Sequence, residues 1–451
     1  MSIGKKAVAE YKKNPEYRKL FDFPDFIEEM ILVDNGYGVE IPMARFDIFY
    51  NGADDFQFCE INTDGSSAMN EDNVIAEMML QMKSIKDMKK DYQFSYFELF
   101  DSWVAESLEI YKKYDPTNRT PNVAILDFNE SITENEFVKF KEAYERVGLN
   151  CEIVDPRELK YTDGKLYFGD FKIDMIYRRL VTYELIEKKD QAEEFIKAYL
   201  DGAVCTIGSI ESQIIHNKIF FKIMHDEETK VLLSPEEVEF IEKHVPFTGL
   251  FGGDESVFEE VKQNREKYIL KPTDKNAGQG VFEGQSLSQE EWEHRLEESF
   301  NNDYLYQEFI PHKVVSTVHF DENGEVSVRE LGNMAGLFMY NEKLAGLYVR
   351  LGSKPIIAGI VESFTSPGIL AVRRNMDDIL PRINELANKK KTADLDEAET
   401  EELDKLRKEY ILRFRAGMKN TLLNVKVVDE EGNDVTALKL KKLHHEKLKD
   451  I

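Results

Sequence analysis

Apolar residues change their spacing several times along the chain, and each change marks a new predicted element. In DNVIAEMMLQMKSIKDM (72–88) and FSYFELFDSWVAESLEIYKKY (94–114) they recur at spacings of three and four, which predicts two amphipathic helices. Short apolar runs around a helical pattern between residues 122 and 205 predict a small α/β unit with a hairpin at TDGK. Residues 267–350 alternate apolar runs with glycine and asparagine turns, which predicts strands.

These patterns divide the chain into four predicted segments. Residues 1–115 combine helices with one hairpin, 116–207 hold the α/β unit, 208–370 begin helical and continue as strands, and 371–451 are charged and helical. In the last segment, NKKKTADLDEAETEELDKLRKEY predicts an exposed helix or a partly mobile linker. The predicted fold class is therefore α+β, with antiparallel sheets, a small α/β domain and added C-terminal helices.

The charge of the chain limits its partners. It carries 86 acidic and 59 basic residues, a formal net charge of −27, so nucleic acids and anionic membrane surfaces are not expected partners. An anionic ligand must then be held by a locally positive pocket. The three cysteines are widely spaced, the N-terminus lacks an apolar core of signal-peptide length, and 18 apolar residues never run together. These features predict a soluble, cytoplasmic protein.

One predicted hairpin, ARFDIFYNGADDFQFCEINTDGSS (44–67), carries polar residues where a soluble sheet usually buries apolar ones: Arg45, Asp47, Glu60 and Asn62. With NGADDF as the connection, Tyr50 faces Gln57. That register places Asp47 opposite Glu60 and the guanidinium opposite the amide. All four polar groups then lie on one face of the hairpin.

Two carboxylates directly opposite each other destabilise an antiparallel pair unless a cation neutralises them. Mg²⁺ is the natural candidate, because it takes carboxylate and amide oxygens from a few side chains and completes its shell with substrate phosphates. Arg45 beside it could stabilise phosphoryl oxygens. The alternative is a solvated strand face on which Arg45 forms a salt bridge to one carboxylate.

A second candidate segment is YILKPTDKNAGQGVFEG (268–284). Glycines at Gly278 and Gly280 would let backbone N–H groups approach a phosphate, and Lys271 would supply a positive charge. The segment matches neither GxGxxG nor GxxxxGK[ST], so it indicates neither a Rossmann site nor a Walker loop. A plain hairpin turn is the alternative interpretation.

Two further segments flank this loop in the sequence. SQIIHNKIFFKIM places Asn217 and Lys218 on a predicted amphipathic helix, where a lysine is often only solvated. DYLYQEFI predicts a strand with Gln307 and Glu308 just before apolar residues, as in a backbone hinge around an adenine ring. Each signal is weak alone, and their order along the chain is the informative feature.

The ordered set RFD, EINTD, NK, KP with a glycine loop, and QEFI resembles the ATP-grasp ligases. More specifically, it is similar to the circularly permuted branch represented by glutathionylspermidine synthase, in which the metal-binding E-x-N precedes the nucleotide lysines. The resemblance covers roughly residues 40–350. It implies an ATP-dependent carboxylate–amine ligase that forms an amide or peptide bond through an acyl phosphate.

The resemblance also implies roles for individual residues. The metal would bind to Asp47, Glu60 and Asn62, and Arg45 would stabilise the acyl phosphate and its tetrahedral adduct. ATP would contact Lys218, Lys271, Gly278, Gly280, Gln307, Glu308 and Ile310. The substrates would lie near Asp64, Ser66, Ser67, Arg178 and Arg179. Gly65 and Ser66 stand where the synthase has Thr-Pro, so the small acid or peptide and the amine remain unidentified.

Other classes of protein are weighed against this ligase. The eight histidines form no HxxxH or HExxH pattern, which argues against a zinc enzyme. An ATP-binding regulator or scaffold without turnover would bind ATP but release no ADP with any acid and amine. An acidic interaction protein is the third possibility, and the charged C-terminal helix is the feature that favours it.

Overall fold

A computed structural model describes most of the 451 residues. The described ranges are 1–89, 91–118, 120–320, 323, 325–358, 363–373, 376–392 and 395–422. Backbone packing divides the chain into a larger unit (Met1–Met79 and Tyr96–Ile369) and a smaller unit (Leu80–Ser95 and Leu370–Ile451). The four-segment division predicted from the sequence stays a prediction.

The helices have the following bounds: α1 (Ser2–Lys13), α2 (Pro15–Arg18), α3 (Asp25–Ile31), α4 (Met69–Gln81), α5 (Lys83–Met88), α6 (Asp101–Tyr114), α7 (Glu134–Arg146), α8 (Thr182–Glu187), α9 (Glu193–Leu200), α10 (Gln213–His216), α11 (Ile219–His225), α12 (Glu227–Lys230), α13 (Pro235–His244), α14 (Glu255–Gln263), α15 (Gln289–Ser299), α16 (Met376–Thr392) and α17 (Glu397–Leu422).

The strands are β1 (Met43–Gly52), β2 (Asp55–Asn62), β3 (Tyr92–Tyr96), β4 (Val123–Leu126), β5 (Cys151–Val154), β6 (Leu159–Thr162), β7 (Lys165–Phe168), β8 (Phe171–Ile173), β9 (Met175–Arg178), β10 (Cys205–Ile207), β11 (Thr248–Leu250), β12 (Tyr268–Pro272), β13 (Phe282–Glu283), β14 (Tyr304–Glu308), β15 (Val314–Phe320), β16 (Val326–Tyr340), β17 (Lys343–Gly352), β18 (Phe364–Pro367) and β19 (Ile369–Arg373). The fold class is mixed α+β with antiparallel sheets.

The largest sheet has the order β18-β17-β16-β1-β2, and β15 also pairs with β16. All of these pairs are antiparallel. The predicted hairpin is confirmed as β1–β2, with Asp47 opposite Glu60 and the Arg45 position opposite Asn62. The prediction that Tyr50 faces Gln57 is wrong, because the register shifts after Asp47 and leaves Cys59 as an unpaired bulge residue.

The predicted α/β unit is present in the larger unit. A parallel sheet with the order β10-β9-β4-β5 is crossed by α7, and β6 and β7 form the hairpin predicted at TDGK. The strands of this sheet are almost wholly buried, and α7 packs Phe137, Phe140 and Tyr144 into the core below it. Parallel strands covered on both faces need such continuous apolar runs.

A third sheet carries the segments predicted to meet a nucleotide. Its order is β11-β14-β12-β13, and all pairs whose register is known are antiparallel. On one side it packs against α14 and α15 through a small core around Trp292 and Phe251. A capping box at Ser288 and Glu291 starts α15, because the serine side chain and the glutamate side chain each satisfy the other's backbone N–H.

Both helices predicted between residues 72 and 114 are shorter than expected. The first is broken at Met82, whose extended backbone separates α4 from α5. In the second, the residues before Asp101 are not helical, and Tyr96 ends β3. The carboxylate of Glu98 accepts hydrogen bonds from the backbone N–H groups of Phe100 and Asp101 at 2.8 and 2.9 Å, which fixes the start of α6.

The smaller unit contains a pair of long helices at its C-terminal end. A small apolar core lies between α16 and α17, formed by Ile379, Ile383, Leu386 and Leu403. Arg382 on α16 makes two hydrogen bonds with the carboxylate of Glu402 on α17, at 3.0 and 2.9 Å. The segment predicted as one exposed helix therefore contains the end of α16 and the start of α17, and these two helices contact each other through this apolar core.

Across the described ranges, every helix is too short or too polar to cross a bilayer.

Two carboxylates at the ends of neighbouring strands are expected to make opposite contributions to stability. Burial raises the pKa of Asp127, after β4, to about 7. Burial also opposes the charge of Asp155, after β5, but Arg157 and two backbone N–H groups hold its pKa below the usual value. The folded state therefore favours protonated Asp127 and ionised Asp155.

We expect Asp127→Asn to become increasingly stabilising as the pH rises. Folded wild type must ionise Asp127 as the pH passes about 7, whereas its unfolded chain ionises near pH 4, so stability from this group is lost on raising the pH. Between pH 6 and pH 8 the advantage of the Asn variant in free energy of unfolding should grow by about 1 kcal/mol. Urea unfolding followed by circular dichroism measures the free energy of unfolding of both proteins at each pH.

Asp155→Asn is the matched control for that experiment. It should be destabilising at both pH values by the same amount, because the stability that ionised Asp155 gives is fully present above pH 4 and is lost only in acid. A pH-independent effect of Asp127→Asn would show that the carboxyl group does not titrate in this range.

Candidate functional site

A cavity of about 350 Å³ opens in the larger unit between the hairpin and the third sheet. It is lined by residues from several separate parts of the sequence. The hairpin and the segment after it contribute Arg45, Glu60, Asn62, Asp64, Ser66 and Ser67; the others used below are Lys218, Lys271, Lys275, Gly278, Gln307, Glu308, Ile310 and Arg350. Most of the residues predicted to form a site thus border one cavity.

The centre of the cavity wall is a buried ion pair. Arg45 Nε and Nη2 donate to the two carboxylate oxygens of Asp47 at 2.7 and 2.9 Å, and Nη1 donates to the backbone carbonyl of Ser67 at 2.6 Å. Asp47 is fully buried. Such a bidentate pair fixes the guanidinium in one orientation. Arg45 therefore presents a fixed positive charge at the cavity.

Arg350 on β17, which the sequence suggests only as a basic residue suited to an anionic substrate, is part of this network. Its Nη2 donates to Asp47 Oδ2 at 2.7 Å and lies 3.6 Å from Glu60 Oε1. The available signal was a charged residue inside the apolar strand pattern LYVRLG. Its meaning depends on β17 lying two strands from β1, which the sequence does not specify.

Glu60 and Asn62 extend this network toward the cavity. Asn62 Nδ2 donates to Asp47 Oδ2 at 3.1 Å and to Glu60 Oε1 at 3.3 Å, which leaves the amide oxygen available. The Glu60 side chain is 24% exposed. Burial opposes the charge of Glu60, but Lys218 and Arg350 lower its pKa.

The hairpin face is crowded enough to require glycine on the neighbouring strand. Gly336 on β16 pairs with Asp47, and a Cβ added there would lie 2.8 Å from Asp47 Oδ1 and 3.0 Å from Arg45 Cδ. Both atoms belong to the buried ion pair and have little room to move. Because Gly336 has no side chain, Asp47 on β1 and Arg350 on β17 can contact each other across β16.

Gly336→Ala is therefore expected to lower stability by about 1–3 kcal/mol, since overpacking a tight site costs that much. Gly52→Ala is the matched control, because a Cβ at that end of β1 meets nothing within 4 Å. Thermal unfolding of the two variants measures the difference. An equal effect of both substitutions would contradict the close packing at Gly336.

Two lysines approach the cavity from the other side. Lys218 Nζ donates to the backbone carbonyl of Lys275 at 2.7 Å, and burial lowers the pKa of its ammonium against the attraction of Glu60. Lys271 Nζ donates to Gln307 Oε1 at 2.7 Å and to the carbonyl of Cys59 at 3.1 Å. Lys218 follows α10 at a break before α11, so the prediction that it lies within a helix is wrong.

The glycine loop between β12 and β13 reaches the cavity through its middle. Gly278 has φ +79° and Gly280 has φ +69°, a region that favours glycine. A Cβ on Gly278 would lie 2.8 Å from Ala358 Cβ. The loop therefore does more than connect two strands, because Gly278 packs closely against Ala358 on the facing wall of the cavity.

The segment predicted to hold adenine lines the far end of the cavity. The Gln307 side chain is buried and fully engaged, because Oε1 accepts from Lys271 and Nε2 donates to Thr248 Oγ1 at 2.8 Å. Glu308 is exposed, and Ile310 is half-buried. Gln307 thus anchors a lysine, and the open part of this wall is formed by the residues after it.

The segment after the hairpin borders the cavity in a different way. Asp64 forms a buried ion pair with Arg178 and accepts a hydrogen bond from the backbone N–H of Thr182 at 2.6 Å. Ser66 Oγ donates to the carbonyl of Asn62 at 2.7 Å, and the Ser67 carbonyl is used by Arg45. These contacts shape the turn after β2.

The two arginines predicted to face an acid substrate are buried in the protein instead. Besides Asp64, Arg178 contacts the carbonyls of Gly208, Leu180 and Ser209. Arg179 donates to Glu136 Oε1 at 2.7 Å and packs against aromatic rings, with 4.9 Å to the ring of Phe137. Neither borders the large cavity. The expectation that they meet a substrate does not fit these contacts.

Basic side chains come together at the centre of the cavity. The lining contains five basic residues, Arg45, Lys218, Lys271, Lys275 and Arg350, and four acidic ones, Glu60, Asp64, Glu71 and Glu308. The formal charges of the lining nearly balance, in a chain whose formal net charge is −27. An anionic ligand would therefore depend on contacts with the clustered basic side chains.

The donors present fit a hard divalent cation that shares a bound phosphate. Glu60 and the oxygen of Asn62 suit Mg²⁺, which usually binds to few side chains and to substrate oxygens. Asp47 already receives hydrogen bonds from two arginines and Asn62. In the described part of the chain, no group of three or more His, Cys, Asp or Glu is placed to hold a metal by itself.

Comparison with known proteins matches a different part of the chain. Residues 378–441 match the family described as "Bacterial protein of unknown function (DUF896)". The UPF0291 protein of Bacillus pumilus is 57% identical over 63 residues, which are 14% of this chain and 83% of that protein. A UPF0291 protein of Staphylococcus epidermidis is 53% identical over 68 residues, 15% of this chain and 87% of that protein. The chain belongs to the UPF0291 family.

The UPF0291 region lies outside the cavity, whose lining residues all precede residue 378. The structure describes its first part as α16 and α17. Residues 423–441, at its end, lie outside the described ranges. Membership in the UPF0291 family therefore gives no function to the residues of the candidate site.

Two solved structures are similar to this chain at low scores. A putative gamma-glutamylcysteine synthetase from Methylobacillus flagellatus has a TM-score of 0.39 and 11% identity, and the match covers 83% of this chain and 88% of that one. D-alanyl-alanine synthetase A from Vibrio cholerae has a TM-score of 0.28 and 14% identity, with 47% and 67% covered. Scores below 0.5 do not establish a shared fold.

Proposed function

We propose that this chain is an ATP-dependent carboxylate–amine ligase that forms an amide or peptide bond and releases ADP and phosphate. The observation that carries the proposal is one cavity that brings together the Glu60 carboxylate and the Asn62 amide of the hairpin, two arginines, two lysines and a glycine loop. ATP and Mg²⁺ are the proposed cofactors. The residues suit phosphoryl transfer, which depends on positioning and charge neutralisation rather than on a nucleophilic side chain.

In the proposed reaction, a substrate carboxylate oxygen attacks the γ-phosphorus of ATP, and the bond from that phosphorus to ADP breaks. The amine nitrogen then attacks the acyl carbon, phosphate leaves, and the nitrogen loses a proton. Lys218 and Lys271 would hold phosphate oxygens, and Arg45 would neutralise charge on the acyl phosphate. Glu60 and Asn62 would hold Mg²⁺, which when bound would supply a further positive charge to the phosphates.

The proposed fold and branch follow the resemblance of the sequence motifs to circularly permuted ATP-grasp ligases of the glutathionylspermidine synthase type. Gly278 and Gly280 would then form the loop over the phosphates, and the wall from Gln307 through Glu308 to Ile310 would hold adenine. The acid and amine would meet near Asp64, Ser66 and Ser67. A small acid or peptide and an amine are the proposed substrates.

A screen for ADP release tests this function. Amino acids, small peptides and polyamines are supplied in pairs with ATP and Mg²⁺, and any adduct is identified by mass spectrometry. We expect ADP release that requires both an acid and an amine, with an adduct whose mass is their sum less one water. Binding of ATP without ADP release in any mixture would instead indicate a regulator or scaffold.

A further inference from the structure

The base of the glycine loop is attached to α10 by a buried polar contact. Asp274, three residues after Lys271, accepts a hydrogen bond from Gln213 Nε2. Beside it, the carbonyl of Thr273 accepts from the backbone N–H of Lys218 at 2.9 Å. Gln213 is fully buried, and the Asp274 side chain is 15% exposed. The loop is therefore fixed at its start while its middle borders the cavity.

A second polar side chain, that of His216, lies near Asp274. His216 Nε2 lies 4.0 Å from Asp274 Oδ1, which is too far for a hydrogen bond. His216 is 5% exposed, and its Nδ1 is buried without a hydrogen-bond partner in the described structure, as is Oε1 of Gln213. Buried polar atoms without hydrogen bonds lower the stability of a fold, so their presence beneath the loop points to a role other than stability.

The segment that carries Gln213 also contacts the turn after the hairpin. Ser212, directly before α10, receives a hydrogen bond from Arg178 Nη2 to its Oγ at 3.1 Å, and its carbonyl accepts from Thr63 Oγ1 at 2.8 Å. Arg178 also holds Asp64. One short segment thus connects the base of the glycine loop with the wall near Asp64.

We propose that Asp274 is a positioning residue that fixes the base of the glycine loop on Gln213 and so sets the affinity for nucleotide. The effect on nucleotide rests on the proposed function, whereas the attachment of the loop does not. The contact holds the loop near Lys218 and Lys271, so a bound phosphate meets backbone N–H groups that are already ordered.

Asp274→Ala is expected to raise the amide hydrogen exchange rate of the segment 273–281 about 10-fold or more. It should raise the Kd for Mg²⁺ with the non-hydrolysable analogue AMP-PNP about 10- to 100-fold, since a hydrogen bond to a charged group is lost. If the enzyme turns over, the KM for ATP should rise similarly and kcat should change less than about 3-fold. Mass spectrometry, calorimetry and steady-state kinetics provide the three measurements.

Two further variants separate the hydrogen bond from general damage. Asp274→Asn keeps an acceptor for Gln213 and should restore most of the protection of the loop. Gln213→Met keeps the buried volume but loses the donor, so it should reproduce the effect of Asp274→Ala. Gln279→Ala is the matched control, because this exposed residue belongs to the same loop and does not border the cavity.

The outcomes distinguish the two proposals. Unchanged exchange of residues 273–281 in both Asp274→Ala and Gln213→Met would overturn the positioning role, whatever the protein binds. Absence of AMP-PNP binding by the wild type would overturn the proposed function, and the exchange data would still decide whether Asp274 holds the loop. A fall in kcat without a change in nucleotide Kd would also contradict positioning.

Discussion

Replacing Glu60 by Gln is expected to reduce ADP release about 1,000-fold while leaving the protein folded. The carboxylate borders the cavity beside Lys218 and Arg350, and its charge is the one best placed to meet a cation bridging phosphate oxygens. Loss of a group that neutralises charge in the transition state costs about 4 kcal/mol, or about 1,000-fold in rate. An ADP assay with the substrate pair from the screen measures this loss.

The control for this experiment is Glu134→Gln. Glu134 is an exposed carboxylate in the first turn of α7, away from the cavity, so the same chemical change should leave the rate unchanged. Thermal unfolding should be nearly unaltered in Glu134→Gln, whereas Glu60→Gln should unfold at a lower temperature but stay folded under assay conditions, because the ionised carboxylate is stabilised by Lys218 and Arg350. Full Mg²⁺-dependent turnover by Glu60→Gln would refute the site.

Asp47→Asn should instead lower the free energy of unfolding by about 3–5 kcal/mol. Asp47 is completely buried, and its carboxylate is the partner of both Arg45 and Arg350. The amide cannot balance either guanidinium, so two positive charges would remain beside each other with little water around them. Urea unfolding followed by circular dichroism, with wild type and Glu60→Gln in parallel, measures the change.

A double-mutant cycle shows whether this cost comes from the arginines. Arg350→Met should be destabilising in the wild type, but in the Asp47→Asn background it removes an unbalanced charge and should cost at least about 1 kcal/mol less. Additive effects of the two substitutions would mean that Asp47 and Arg350 do not act as a pair.

Part of the hairpin could be predicted because side chains alternate between the two faces and the connection NGADDF limits the register. A one-residue slip would move every side chain to the other face, so placing the polar residues on one shared face selects the pairing of Asp47 with Glu60. The pairing at the tip was wrong because nothing in the local sequence signals the bulge at Cys59. Similarly, the break at Met82 has no proline or glycine to announce it.

The contacts that involve several elements were beyond the reach of sequence patterns. Arg178 and Arg179 are adjacent basic residues, and such a pair predicts an anion site. Each is instead neutralised by a carboxylate far away in the sequence: Asp64 pairs with Arg178, and Glu136 pairs with Arg179. Arg350 and Asp274 gain their meaning only from the order of strands and from the position of α10. Pairing across distant segments is a property of the tertiary fold.

The bulge at Cys59 has a consequence for how the hairpin can vary in length. It turns Phe58 to the side of Phe46, with 5.9 Å between the two rings, while Glu60 stays on the side of Asp47. Deleting Cys59 would make the ladder regular without exchanging the two faces, because Phe58 already pairs with Ile48 and Glu60 with Asp47. Insertions in the turn before Asp55 would also leave these pairs unchanged. Cys59 and the tip are therefore the positions at which the hairpin tolerates a change of length, whereas deleting Ile61 would place Glu60 and Asn62 on opposite faces.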